Sequence, residues 1–279
     1  MAAALPSAAS LALVPGLAGP GDQAGRPLRA VRLPGGTVNE TWRIDTPEGR
    51  FVLRLDGPAW RRPGVDRPRE RLLHQAAAAA GLAPRVVAAD LSAGVLVCEY
   101  VEGRIWAAHD LSGAAQLDRL GERLARLHAL EPPHGAGRFD PQACAAQYLE
   151  LAGDAAAAGG APELLAGLRA AVLEIEAAGA EPRIIHGDLV HGNLIEGDRL
   201  WLLDWEYAQL SDPLYDVACV LAYYPLARPH AARLLAAAGL EGRARERLLR
   251  AAAYVYEALT WAWHRARGEQ AAHPGRFPP

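Results

Sequence analysis

The feature that most restricts the fold is a change of periodicity after residue 102. Before it, apolar residues alternate in short runs; beyond it, they recur at the three-and-four spacing of helices. Arg29 to Leu33, Glu40 to Ile44 and Arg50 to Leu55 predict strands, separated by the turn-forming strings Pro34-Gly35-Gly36 and Thr46-Pro47-Glu48-Gly49. Pro68 to Ala80 predicts a helix, with proline in its first turn and Gly81 just past its end. Val86 to Asp90 and Gly94 to Glu99 predict another strand pair. After Gly103 come long helical patterns at Ala114 to Leu130, Ala161 to Ala178, Leu214 to Ala222, His230 to Ala238 and Gly242 to Arg267. The expectation is an α+β chain of two lobes. An antiparallel sheet with one helix occupies 1–102, of which 1–27 is a leader helix or poorly ordered, and a mainly helical lobe occupies 103–279.

Composition narrows the partners. At 51% hydrophobic and 22% charged residues the chain affords a sizeable core. A net charge of −3 lacks the basic excess of a nucleic-acid binder, no basic amphipathic helix suggests a membrane, and nothing points to a protein partner. The first 21 residues are uncharged, but no basic residue precedes the apolar stretch and Pro6, Pro15 and Gly16 interrupt it. A short helix is expected there, not a signal peptide or a membrane span, which makes the expected location cytoplasmic. Cys98, Cys144 and Cys219 have no metal-type spacing and read as reduced, buried thiols. Lysine is absent, so any cation set against phosphate must be arginine.

One non-helical island interrupts the second lobe. It reads Ile184-Ile185-His186-Gly187-Asp188-Leu189-Val190-His191-Gly192-Asn193-Leu194-Ile195, then Leu200-Trp201-Leu202-Leu203-Asp204-Trp205-Glu206-Tyr207. Apolar runs flank each acid, so Asp188, Asn193 and Asp204 are delivered from the ends of buried strands. Such a set places one carboxylate on a substrate hydroxyl and offers oxygen ligands to a hard cation such as Mg²⁺. Each residue alone reads rather as a turn former. Together, His-x-Asp-x-x-x-x-Asn and a second apolar strand ending in Asp have the spacing of a kinase catalytic loop and its metal-binding Asp.

The island, with Asp204-Trp205-Glu206-Tyr207-Ala208 and Asp212-Pro213-Leu214-Tyr215-Asp216, resembles the aminoglycoside phosphotransferase and choline kinase superfamily. Within it the similarity is greatest to bacterial choline/ethanolamine kinases and thiamine kinase, and it covers roughly residues 28–267. The resemblance implies a protein-kinase-like bilobal fold with ATP and Mg²⁺ as cofactors. It also implies Asp188 as the base, Asn193 and Asp204 as metal ligands, and His186 and Asp216 as braces of the catalytic loop. The first lobe then owes a nucleotide site. Gly35, Gly36 and Asn39 occupy the first hairpin, where the family's phosphate-covering loop lies, although a Gly-Gly hairpin is also an ordinary turn. Arg54 on the third strand stands where protein kinases have lysine, paired with Glu70 of the following helix; either could instead be a solvated surface charge. Backbone groups near Glu99 and Val101 resemble the hinge that meets adenine.

The expected acceptor is the hydroxyl of a small cationic alcohol: choline, ethanolamine or thiamine. Glu206, Tyr207, Trp261 and Trp263 are candidate contacts, since aromatic faces and carboxylates suit cations. Trp261 and Trp263 are two apart on a helix, so only one can face a given pocket, and ordinary helix packing accounts for the stripe equally well. An aminoglycoside 3′-type phosphotransferase and a catalytically silent binding protein remain as alternatives.

Overall fold

The computed structural model describes residues 5–17, 28–34, 38–57, 62–153, 160–271 and 273–274. The first lobe is a five-stranded antiparallel sheet: β1 (Arg29–Arg32), β2 (Glu40–Thr46), β3 (Gly49–Leu55), β4 (Val86–Asp90) and β5 (Val95–Glu99), in the order β1-β2-β3-β5-β4. Alternation assigns its faces. Trp42, Ile44, Phe51 and Leu53 are buried on one side, under helix α1 (Ala8–Leu11) and the Val14 and Leu17 that follow it. On the other side Val52 and Arg54, in register with Cys98 and Leu96, roof the cleft between the lobes. The glycine-rich turn at Gly35 and Gly36 lies outside the described residues, as do positions 1–4 and 18–27 of the leader.

Helix α2 (Arg67–Ala79) joins the two lobes. The Asp66 carboxylate caps it by accepting from the Arg69 N–H at 2.9 Å. Gly81, at φ +70°, ends it, and the Leu82 N–H returns to the Ala77 carbonyl at 2.9 Å, which satisfies a last-turn acceptor. Its buried Leu73 and Ala77 belong to the core of the helical lobe, not to the cluster beneath the sheet.

The second lobe contains α3 (Ala114–His128), α4 (Pro141–Ala152), α5 (Ala161–Ala177), α6 (Leu214–Tyr223), α7 (Ala231–Ala237) and α8 (Arg243–Ala266). Helix α8 runs through its centre against α4, α5 and α6. Leu117, Leu120, Leu124 and Leu127 give α3 its buried stripe, each stabilising by about 1.5–3 kcal/mol. Helix α4 was not anticipated by the periodicity. Among the described residues no helix is long and apolar enough to cross a membrane.

The island is pinned at both ends. Strand β7 (Arg183–Ile185) pairs with β10 (Gln209–Ser211), and β8 (Leu194–Glu196) and β9 (Leu200–Leu202) join β6 (Arg104–Ile105). Two loops, 186–193 and 203–208, are thereby held side by side at the cleft; the Leu203 N–H donates to the Asn193 carbonyl at 2.8 Å.

Candidate active site

The first loop is fixed from beneath by buried groups. His186 is fully buried; its Nε2 donates to the Leu203 carbonyl at 2.8 Å, and its Nδ1 accepts from the Asp188 N–H at 3.3 Å. Those partners define a neutral tautomer, and burial holds the imidazole pKa below its usual value. Asp216, in the first turn of α6, accepts from the N–H groups of His186 (3.0 Å) and Gly187 (2.9 Å) and lies 3.0 Å from Nε2 of His128. Gly187 sits at φ +78°, and a Cβ there would come within 2.5 Å of the Tyr207 carbonyl, so only glycine fits. Asp188 then faces the cleft. Asn193 Nδ2 donates both to its carbonyl (2.9 Å) and to its Oδ2 (3.0 Å). Burial, then the charge of Glu206, pushes the Asp188 carboxyl up to about 6, against the Asn193 hydrogen bond and the cation of Arg62.

The second loop delivers Asp204 in a left-handed conformation, φ 61° and ψ 71°. It is the one non-glycine residue with positive φ among the described residues. Such a conformation costs about 1–3 kcal/mol and persists only where neighbours enforce it. Here the neighbour is Trp205, fully buried, whose Nε1 donates to the Leu202 carbonyl at 3.0 Å and whose ring meets the edge of His186 at 4.8 Å. Oδ1 of Asp204 is buried without a hydrogen-bond partner and lies 3.7 Å from Arg54 Nη1, while 38% of the side chain stays open to the cleft. Burial and the nearby Glu206 raise its pKa well above the usual carboxylate range, with Arg54 opposing them.

The sheet lobe contributes charge in an alternating chain. Arg54 forks onto Glu70 at 2.5 and 3.0 Å, and Arg67 donates to the same carboxylate at 2.6 Å. Arg67 also forks onto Asp56 at 2.8 and 2.7 Å and reaches Glu206 across the lobes at 3.2 Å. Glu206 further accepts from Arg62 at 2.6 Å and from Asn39 Nδ2 at 3.2 Å. Burial works to raise the Glu70 pKa, and the attraction of Arg54 and Arg67 overcomes it. The cleft side of β3 therefore carries a cation held in a fixed orientation, as bidentate pairing requires.

The cleft encloses about 1060 Å³. At one end Val38, Val52, Leu96, Cys98, Ile195 and Leu203 form apolar walls. Glu99 commits its N–H to the Arg85 carbonyl at 2.9 Å, whereas Val101 forms no backbone–backbone pair among the described residues. At the other end stand Tyr148, Tyr207, Tyr223, Tyr256 and Trp263. Trp261 is not among them. It is only 3% exposed and packs in the helical core, its ring 5.0 Å from His273, so the expectation that it contacts substrate is corrected. The two tryptophans, two apart, point opposite ways, and Trp263 took the cleft side. Glu206 is likewise no free carboxylate, because three donors already occupy it.

Several residues at the site were missed by the sequence reading. Arg67 had a local signal, lying three residues before Glu70 on one helix face. Arg62, His128 and Tyr148 had none, His128 meeting Asp216 across 88 positions; Tyr256 belonged to the aromatic stripe of the last helix, but its donation to the Gly187 carbonyl across 69 positions had no local signal.

Comparison with known proteins agrees with this geometry. The sequence model described as the phosphotransferase enzyme family matches residues 29–249. Protein LicA of Haemophilus influenzae is 29% identical over 207 residues, which are 72% of this chain and 60% of that protein. The chain thus spans about three-fifths of the length of that relative. A choline/ethanolamine kinase family protein from Mesorhizobium loti superposes with a TM-score of 0.72 at 25% identity, covering 97% of this chain and 90% of its own. The choline kinase LicA from Streptococcus pneumoniae shares the fold with a TM-score of 0.72 at 21% identity, covering 90% of each chain.

Proposed function

The chain belongs to the phosphotransferase enzyme family, and from that premise we propose that it moves the γ-phosphoryl group of ATP onto the hydroxyl of a small cationic alcohol, with choline, ethanolamine and thiamine as the candidates. One observation carries the reading. A carboxylate with raised proton affinity, Asp188, and a carboxylate with a buried oxygen that accepts no hydrogen bond, Asp204, share a cleft with the Arg54–Glu70 fork.

In this mechanism Asp188 accepts the proton of the acceptor hydroxyl, and Asn193 orients it by donating to Oδ2. Arg54 lies against the nucleotide phosphates, and its charge is permanent. The residues fit a magnesium ion. Asp204 Oδ1 has no hydrogen-bond donor, and Asn193 spends its NH₂ group on Asp188, so its amide oxygen remains available as an acceptor. Among the described residues no three His, Cys, Asp or Glu side chains form a metal cage; one carboxylate and one amide suit an ion that completes its shell with phosphates and water. When bound, the ion supplies neutralisation of phosphate charge.

The aromatic end of the cleft supports this acceptor class. Tyrosine and tryptophan faces attract cations by about 0.5–2 kcal/mol each. The kinase names carried by the M. loti and S. pneumoniae structures support the same choice. Release of ADP from Mg-ATP, followed in turn with choline, ethanolamine, thiamine and kanamycin, tests it. Turnover with one of the first three is expected. Turnover with kanamycin alone refutes the acceptor class, and no acceptor-dependent ADP with any of them refutes the proposal.

A further inference from the structure

Arginine is the only strongly basic side chain in this sequence, and among the described residues two arginines line the cleft, Arg54 and Arg62. They differ in how far they are committed. Arg54 is locked by the two-pronged contact with Glu70. Among the described residues Arg62 donates only through Nη2, to Oε1 of Glu206 at 2.6 Å, and its Nε is buried without a hydrogen-bond partner. A guanidinium with spare donors at the cleft wall is costly to leave unsatisfied.

The backbone beneath Arg62 is anchored to the aromatic end. Tyr148 donates its hydroxyl to the Pro63 carbonyl at 3.1 Å. A Cβ on Gly64, which sits at φ +82°, would lie 3.3 Å from Sγ of Cys144 and 3.6 Å from the Tyr207 ring. The Arg62 guanidinium carbon is 5.8 Å from the centre of that ring. From this anchorage the side chain reaches Glu206, the one acid whose charge bears on both Asp188 and Asp204. Arg62 thus lines the same cleft as Asp188 and Asp204, and its charge bears on Asp188. Glu206 does not depend on it: Arg67 and Asn39 hold Oε2, each at 3.2 Å.

We propose that Arg62 is a catalytic residue of the transfer step, exchanging Glu206 for the phosphoryl group in flight. The inference rests on the phosphotransferase reading above. In that step a bond forms between the acceptor oxygen and the γ-phosphorus while the bond to the β–γ bridging oxygen breaks. The electron pair leaves with ADP, and the hydroxyl proton goes to Asp188. Charge spreads over the three equatorial oxygens of the moving group, and Arg62 donates to them from Nη2 and Nε without changing its own protonation. A cation here would repel a cationic acceptor, so the group serves the transition state and not acceptor recognition.

The test uses Arg62→Ala and Arg62→Lys in the full chain, with two measurements. Calorimetry compares the binding of MgADP alone with MgADP plus aluminium fluoride, a mimic of the transferring phosphoryl. Steady-state kinetics uses the best acceptor among choline, ethanolamine and thiamine. Wild type is expected to bind MgADP more tightly when fluoride is present. Arg62→Ala should bind MgADP as wild type does, lose that gain, and lose about 10³ in kcat, the lower end of the worth of a transition-state arginine, with no rise in acceptor KM. Arg62→Lys keeps the stem and the charge and should recover part of both losses; it gives the answer if the alanine variant does not fold. An undiminished fluoride gain in either variant, or a loss confined to acceptor KM, overturns the proposal. No fluoride gain in wild type overturns the phosphotransferase reading, and this inference with it.

Discussion

Asp188 is poised by being made a poor acid. Burial and Glu206 raise it to about 6, and it accepts a proton only when ionised. Its ionised fraction falls below that pKa, so kcat/KM should drop about tenfold for each pH unit below 6 and level off above it; a profile flat down to pH 4.5 contradicts this. Arg, Ala or Asn at this position removes the base, and Asp188→Ala should lose about 10²–10⁴ in kcat while retaining MgADP binding by calorimetry. Asp204 gives a prediction of opposite sense. Its folded pKa lies above the unfolded value, so its contribution to stability is full below the unfolded pKa and is lost as pH rises through the folded one. Asp204→Asn should therefore raise the melting temperature of the nucleotide-free protein at pH 8, leave it nearly unchanged at pH 4, and abolish turnover; scanning fluorimetry at the two pH values checks it. Asp188, Asn193 and Asp204 were legible because their signal is local, a fixed spacing between apolar runs. Arg62 was not, because its meaning comes from Glu206, 144 positions away.

Helix α2 shows how an element converts sequence into a site. Its ends are written locally, in Asp66 and Gly81, and so are the strand alternations that aim Arg54 at the cleft. What local patterns do not record is that Glu70 lies under two arginines in a dry interface, its side chain only 3% exposed. Removing one partner of a buried pair leaves uncompensated charge, so Glu70→Gln should destabilise by about 3–5 kcal/mol in urea unfolding. A loss below 1 kcal/mol would mean that water already screens the fork. Helix α4 was illegible for a related reason. Pro141–Ala152 mixes apolar residues around much of its circumference, and its place is set by contact with α5 and α8. Weak amphipathicity gives no stripe to detect, whereas the four leucines of α3 gave a clear one.

At the scale of the molecule, the two lobes are not independent bodies joined by a hinge. Leu73 and Ala77 of α2 enter the helical core, and the run Arg54–Glu70–Arg67–Glu206 carries paired charge from the sheet to the island. Unfolding should accordingly be a single transition, with tryptophan fluorescence and far-UV dichroism coincident. Arg67→Met cuts the run at its middle and should separate the two traces; coincident traces in that variant would place the coupling in α2 packing alone. The arginine at residue 54 has a practical corollary. Acyl-phosphate nucleotide probes, which identify kinases by acylating a lysine amine beside the bound phosphates, find no ε-amine anywhere in these 279 residues. Chemoproteomic surveys built on that reagent would pass over this protein however active it was, and glyoxal-type reagents aimed at guanidinium groups are the appropriate substitute.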